Sequence, residues 1–476
     1  MKTRITQILL AATLTAMVSS CGIYNKYERP EVDVEGLYRQ SELTREQVNE
    51  ATRPDSLVDS STGQLVHSNL ADLSWQELFT DPLLQKLIQE GLDNNSDLNI
   101  ARLQVKEAQA TLMSSKLAYL PSVDLDATGT LSSFDKAKTS KTYSVGASAS
   151  WEIDVFGKLT NAKRQARAAL EQSDAYRQAV QTQVVATVAE YYCSLLMLDE
   201  QVNITRSTVE SWKEYVRSLQ ALMRAGEADR ATLSQAEASR LSAEASLEDL
   251  LQQVSEMENA LSIFLGRVPG TIERGTLDEL TFPTELSTGV PLDLLSRRPD
   301  VREAEASLKQ AFYATNQSRA AFYPSITLSG SAGWTNSGGT GITNPGSWLL
   351  QAVGSLVQPL FNRGTNIANL KIAKAQQEEA VYTFRQALLD AGSEVNNALT
   401  QWQTAQRKVK LETEQVEHLQ TTVHDTQLLM KHGTTNYLEV LTARQSLLSA
   451  QLSLVSDRYA EMEGVINLYH ALGGGV

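Results

Sequence analysis

This chain says the same thing twice. Ala118-Tyr119-Leu120-Pro121-Ser122-Val123 returns as Ala321-Phe322-Tyr323-Pro324-Ser325-Ile326, 203 positions on (321 less 118). Arg224-Ala225-Gly226 and the pairs Ala260-Leu261 and Leu265-Gly266 return at Lys431-His432-Gly433, Asn467-Leu468 and Leu472-Gly473, 207 positions on (433 less 226). Between these landmarks runs a seven-residue apolar ladder: Val188, Leu195, Val202, Val209, Val216, Met223. The same offset gives Val395, Trp402, Val409, Val416, Val423 and Met430, all apolar again. Register held over that distance implies a tandem duplication, so the fold must be built from two copies of one unit.

Each copy pairs short strands with very long helices. In the first, Val123, Leu125, Ala127, Gly129 and Leu131 alternate with Ser122, Asp124, Asp126, Thr128 and Thr130. Tyr143, Val145, Ala147, Ala149, Trp151 and Ile153 alternate with small, polar or acidic residues. Strands are expected near 121–131 and 142–154, and again near 324–335 and 347–360, the last with less clean alternation. Strands of about ten residues with aromatics near their ends fit a lipid-facing band and a wet lumen. From Leu159 to Ala225 there is neither Gly nor Pro, and a continuous helix there would be about 100 Å long at 1.5 Å per residue. The ladder, with a second seam at Val185, Tyr192, Trp212 and Leu219, predicts coiled-coil packing. Long helices are expected over 159–225 and 227–265, then 366–431 and 435–472, with Gly392 and Gly464 as weak points of the second pair. Another helix is expected from Pro82, capped by Asp81, through Leu98 to Leu117, ending at Pro121.

Four strands cannot close a barrel, for which about eight is the minimum, and open sheet edges cannot face lipid. Two chains would supply eight strands with a filled interior. Three would supply twelve, enough to begin leaving a pore.

The beginning of the chain reads as an export signal over 1–20. Lys2 and Arg4 precede an apolar stretch from Ile5 to Ala16 that is too short to span a membrane. Val18-Ser19-Ser20-Cys21 resembles a lipobox, which makes Cys21 the candidate lipidation site, followed by a polar tether over 21–70. The remaining cysteine, Cys193, lies inside the ladder and reads as a buried, inert thiol. The bodies of the two copies span 71–270 and 271–476. A net charge of −14 argues against nucleic acid or anionic lipid headgroups as partners.

No chemistry is legible. His67, His418, His424, His432 and His470 lack metal-ligand spacing, no glycine-rich phosphate loop follows a strand, and Gly-x-Ser-x-Gly is absent. The methionines are scattered, without the pairs of a copper path. No catalytic residue, metal or cofactor is therefore expected.

Four segments carry a resemblance: Trp75-Gln76-Glu77-Leu78-Phe79-Thr80-Asp81-Pro82, Leu294-Leu295-Ser296-Arg297-Arg298-Pro299-Asp300-Val301, Tyr323-Pro324-Ser325-Ile326, and Gly433-Thr434-Thr435-Asn436-Tyr437-Leu438-Glu439-Val440-Leu441. With them the chain resembles the TolC-like outer-membrane efflux proteins, in the lipoprotein subgroup serving multidrug pumps. The resemblance implies a mainly α chain with a transmembrane β-barrel portion. Three chains would form a twelve-stranded barrel and a periplasmic α-barrel tunnel, with residues near 70–92 and 266–296 in an equatorial belt. It also implies a passive conduit in the outer membrane, lipid-anchored, joined by a periplasmic adaptor protein to an inner-membrane pump.

Mapped from the family, the acidic gate positions after the tip glycine fall on Glu439 and Thr442. Glu439 keeps a carboxylate, and Thr442 departs from the usual aspartate. The turns containing Arg224, Gly226 and Asp229, and His432, Gly433 and Thr434, resemble adaptor-docking tips, although a helix end needs its glycine without any partner. Three functions follow: exit duct of a resistance-nodulation-division pump; alternatively, exit duct of an ABC-type protein or peptide secretion system; and, from another class, a lipid-anchored coiled-coil scaffold. The anchor favours the first over the second, and the amphipathic strands argue against the third.

Overall fold

The computed structural model describes residues 24, 26–30, 73–133, 135, 139–280, 282, 297–336, 347–432 and 437–474. Residues 1–20, most of the tether including Cys21, and Gly433 and Thr434 lie outside the described residues. The elements run α1 (Trp75–Leu78), α2 (Pro82–Asn94), α3 (Ser96–Leu117), β1 (Ser122–Ser132), β2 (Ser140–Ile153), α4 (Lys158–Ala225), α5 (Arg230–Phe264), α6 (Pro299–Ala320), β3 (Ser325–Asn336), β4 (Ser347–Val357), α7 (Thr365–Lys431) and α8 (Tyr437–Ala471). The chain is mainly helical, with four strands. Helix α4 has 68 residues and α7 has 67.

Local chemistry sets the boundaries. Asp81 caps α2, its Oδ1 accepting from the Leu83 N–H at 2.8 Å. Ser74 and Glu77 form a capping box around α1, a short helix that periodicity alone does not reveal. The helix expected from Pro82 to Leu117 is two helices. Asn95 breaks it, because its Oδ1 accepts from the Leu98 N–H (3.0 Å) while its Nδ2 donates to the Phe264 carbonyl (2.9 Å). Helices α7 and α8 run without a break through Gly392 and Gly464. A Cβ on Gly464 would lie 2.8 Å from Trp402 Cα, so glycine there permits a close approach of two backbones.

By internal contacts the chain divides into two units, one of residues 1–32, 103–175 and 302–386, the other of 33–102, 176–301 and 387–476. The first unit holds the sheet. Its strands are antiparallel in the order β1-β2-β3-β4. The two hairpins meet where β2 pairs β3, with Gly146 opposite Gly333. A Cβ on Gly333 would come within 2.7 Å of Gly146 Cα, so this contact requires glycine. The apolar side chains of β1 stay exposed, Leu125 at 81%.

The second unit buries its helical seams, although Leu241, Ile263, Leu411 and Leu438 stay exposed. Val188, Leu195, Val202, Val209 and Val216 are buried, as are all four members of the second seam. Met223, the last rung, is exposed because α4 ends two residues later. Along α7, Val395 and Val416 are buried, whereas Trp402, Val409, Val423 and Met430 are half-buried. Cys193 is buried and free, and burial pushes its thiol pKa up, so it stays protonated and inert. Arg274 donates to Asp199 (2.5 and 2.9 Å) and Glu258 (2.6 Å), fixing the segment after α5. Tyr192 donates to Asp81 and accepts from the Gly275 N–H (3.1 Å).

Candidate functional site

The described gate and docking candidates fall at or next to the ends of long helices, in the second unit. Helix α4 ends in a paired C-cap: the Gly226 N–H donates to Met223 O (3.1 Å) and the Glu227 N–H to Leu222 O (2.9 Å). Gly226 takes φ +81°, a left-handed conformation that other residues adopt only with strain. Asp229 caps α5, accepting from the Thr232 N–H at 2.8 Å, and this backbone bond holds its carboxyl below the usual range. Helix α5 thus starts at Arg230, three residues later than the apolar pattern implies. Arg224 donates from Nε to Gln220 O at 3.2 Å, and His432 is exposed at the end of α7. Every described docking candidate therefore has a structural task within its own turn or an exposed position beside it.

Glu439 sits in the first turn of α8, where a carboxylate complements the helix dipole, and is exposed. Thr442, three residues on and on the same face, is exposed too and donates to Leu438 O at 2.9 Å. The two positions thus present one acidic and one hydroxyl group on successive turns.

Beneath the tips lies a cluster that joins the last buried rungs of the expected seams to α5 and α8. Val209, Trp212, Tyr215, Val216 and Leu219 of α4 pack with Leu233, Ala236 and Ala243 of α5 and Val440 of α8. Met430, Tyr437 and Leu441 close over it. Tyr437 donates to Glu227 O (3.4 Å), tying the two tips together. Arg444 spans α8 and α4: its guanidinium lies 5.0 Å from the Tyr215 ring and 5.7 Å from that of Trp212, and it donates to Ser211 Oγ at 2.6 Å. Burial lowers the Arg444 pKa, with Tyr215 and Glu214 opposing, yet a guanidinium stays charged. The signal available in sequence was an arginine five residues after Glu439 on a helix otherwise facing an apolar seam.

Arg298, the second arginine of Arg-Arg-Pro-Asp, is buried. It donates to the Ala471 carbonyl (2.5 Å), to Asp300 (3.0 and 2.7 Å) and to Glu394 (2.5 Å). Pro299 opens α6, and the arginine before it ties that helix start to the ends of α7's neighbour α8 and to α7 itself. Among the described residues no group of three or more His, Cys, Asp or Glu side chains is placed to hold a metal ion.

The sequence profile of the family described as "Outer membrane efflux protein" matches residues 87–267 and again 290–474. The chain belongs to that family. Among its relatives is the "Cation efflux system protein CusC" of Escherichia coli (strain K12), 29% identical, with 98% of this chain and 99% of that protein covered. The "Probable outer membrane lipoprotein SilC" of Salmonella typhimurium is 30% identical over 85% of this chain and 88% of its own. The structure of the open state of the Neisseria gonorrhoeae MtrE outer membrane channel is 29% identical with a TM-score of 0.82, covering 96% of this chain and 98% of that one. This efflux protein is thus an outer-membrane protein, and its family is one of efflux channels and not of enzymes.

Proposed function

We propose that the chain is the passive exit duct of a tripartite efflux pump of the resistance-nodulation-division type, exporting drugs or other small toxic compounds. The observation carrying this reading is the sheet. Its four antiparallel strands expose apolar side chains and leave β1 and β4 each with one unpaired edge. Such edges are untenable in lipid, and three chains pairing β4 to β1 would close twelve strands into a barrel with a lumen. The doubled match to one family profile supports a tandem repeat, 71–270 and 271–476. The gate would form where three copies of Glu439, each one residue before the buried Val440, converge at the periplasmic mouth. Cys21 would carry the lipid anchor, a reading supported by the naming of SilC as a lipoprotein. The tips holding Arg224, Gly226, Asp229, His432, Gly433 and Thr434 would dock the adaptor that joins the inner-membrane pump. Small cations, for which CusC is named, fall within this cargo class.

The test is the mass of the purified complex together with its conductance in planar bilayers. A trimer that conducts supports the reading; a monomer or dimer as the dominant species overturns it. Deleting the gene should sensitise cells to dyes, detergents or metal salts. A secretion defect without such sensitivity would point instead to the ABC-type system.

A further inference from the structure

The net charge of −14 hides a local reversal. In the sheet-bearing unit two adjoining cavities, of about 460 and 610 Å³, share Arg164, Arg167 and Glu171 in their walls. Six cations line them: Lys26, Lys116, Lys163, Arg164, Arg167 and Lys309, against two carboxylates, Glu171 and Asp174. Glu171 is already engaged by Arg167 and by Lys309, each at 3.5 Å. Lys309 also pairs with Glu305 (3.3 Å), and Lys163 lies 5.1 Å over the Tyr119 ring. Lys26, Lys116 and Arg164 have no carboxylate partner among the described residues. The larger cavity adds apolar walls from Leu112 and Leu170.

Chain position says what such a cleft meets. Lys116 lies in the last turn of α3, just before β1, and Lys163 to Arg167 lie in the second and third turns after β2. Lys26 follows Tyr24, whose hydroxyl donates to the Phe156 carbonyl (2.8 Å) where β2 gives way to α4. Lys116, Lys163 and Arg164 therefore lie within about two helical turns of where the chain enters and leaves the sheet, with Arg167 and Lys309 farther along α4 and α6. If the sheet crosses the hydrocarbon layer, as proposed above, this is headgroup depth, and long Lys and Arg stems can reach along it.

We infer that this cleft binds the phosphate headgroup of an anionic glycerophospholipid. Two guanidinium groups one helical turn apart suit bidentate contact with phosphate oxygens, and unpaired ammonium groups beside them add point charge. The apolar wall distinguishes a lipid from a free anion, because inorganic phosphate has no surface to lay against Leu112 and Leu170.

The experiment uses the full-length detergent-purified complex. Native mass spectrometry follows retention of phosphatidylglycerol against phosphatidylethanolamine, with inorganic phosphate as a separate competitor. Lys163→Gln/Arg164→Gln/Arg167→Gln should weaken phosphatidylglycerol retention by roughly a hundredfold, at about fivefold for each cation removed. Arg206→Gln/Arg407→Gln/Lys410→Gln, which removes three exposed cations from the other unit, should leave retention unchanged. Equal retention by both variants overturns the site. Millimolar phosphate that displaces the lipid completely makes it a free-anion site and overturns the lipid assignment. Dissociation of the first variant into single chains makes the cleft a contact between copies, which also overturns it. Bilayer conductance separates the two readings: a conducting first variant with undiminished lipid binding sinks the lipid site alone, while a wild type that neither inserts nor conducts sinks both.

Discussion

The sheet-bearing unit and the helical unit handle the same kind of side chain in opposite ways. In the helical unit, Leu195 and Trp212 are buried by other parts of the same chain, Trp212 to 2% exposure. In the sheet, Leu125, Val123 and Leu131 remain exposed on a strand whose alternation is just as regular. Helices bury an apolar stripe by packing on one another, so a single chain completes the seam. A four-stranded sheet with two faces and two edges has no such internal solution, and on the function proposed above its apolar face would meet lipid.

Replacements at matched positions sharpen or break this contrast. Trp212→Ala should have the largest effect, about 3–5 kcal/mol of destabilisation, since it opens a cavity in the tip cluster and removes a ring beneath Arg444. Thermal unfolding followed by circular dichroism would measure it, and a melting point within a degree or two of wild type would mean the cluster is not a cohesive core.

Leu125→Arg should cost about 2–4 kcal/mol, but only in the membrane, where charge on a lipid-facing strand is penalised. Its readout is urea titration in vesicles compared with that in detergent; an equal and small effect in both would place Leu125 away from lipid. Gly464→Ala should follow, at about 1–3 kcal/mol, because the new Cβ meets the Trp402 backbone and not a mobile side-chain end. A neutral or stabilising outcome would show that α7 and α8 have room to separate.

A pH scan probes the helical unit more gently. Burial, and then the positive charge of Arg298, push the His470 pKa below its ordinary 6.5, with Glu394 and Asp300 opposing. Between the native pKa and 6.5 the unfolded chain binds the proton and the native chain does not. Stability from this group is therefore present above pH 6.5 and declines as pH falls below it. His470→Gln should flatten that slope; an unaltered slope would assign the acid sensitivity to other groups.

Glu439→Gln should change stability least, within about 0.5 kcal/mol, since the residue is an exposed surface position. Its effect belongs to conductance: cation selectivity and block by multivalent cations should weaken, and Thr442→Asp should strengthen block. Unchanged selectivity and block in both variants would leave Glu439 a solvated helix charge.

Much of this architecture was readable from periodicity. Two-residue alternation marked four strands and seven-residue spacing marked the buried seams, because those patterns are imposed by backbone geometry and survive without any partner in view. The gate candidates were legible only through likeness to a family, since an exposed glutamate in a first helical turn has no periodic signature. Asn95, Arg298 and Arg444 were not legible as determinants at all. Each acts through partners far along the chain: Phe264 for Asn95, Glu394 and Ala471 for Arg298, Ser211, Trp212 and Tyr215 for Arg444.

The sequence by itself determined the four strands and the four long helices to within a few residues, since these follow from local sterics and hydrophobic spacing, but not α1, α6 or the break at Asn95. Only the tertiary structure decided that β2 pairs with β3 across all the intervening helices, that Gly464 marks a close approach of two backbones, and that scattered lysines and arginines of an acidic chain gather in one cleft. These are matters of which distant segments meet, and single-chain periodicity carries no record of that.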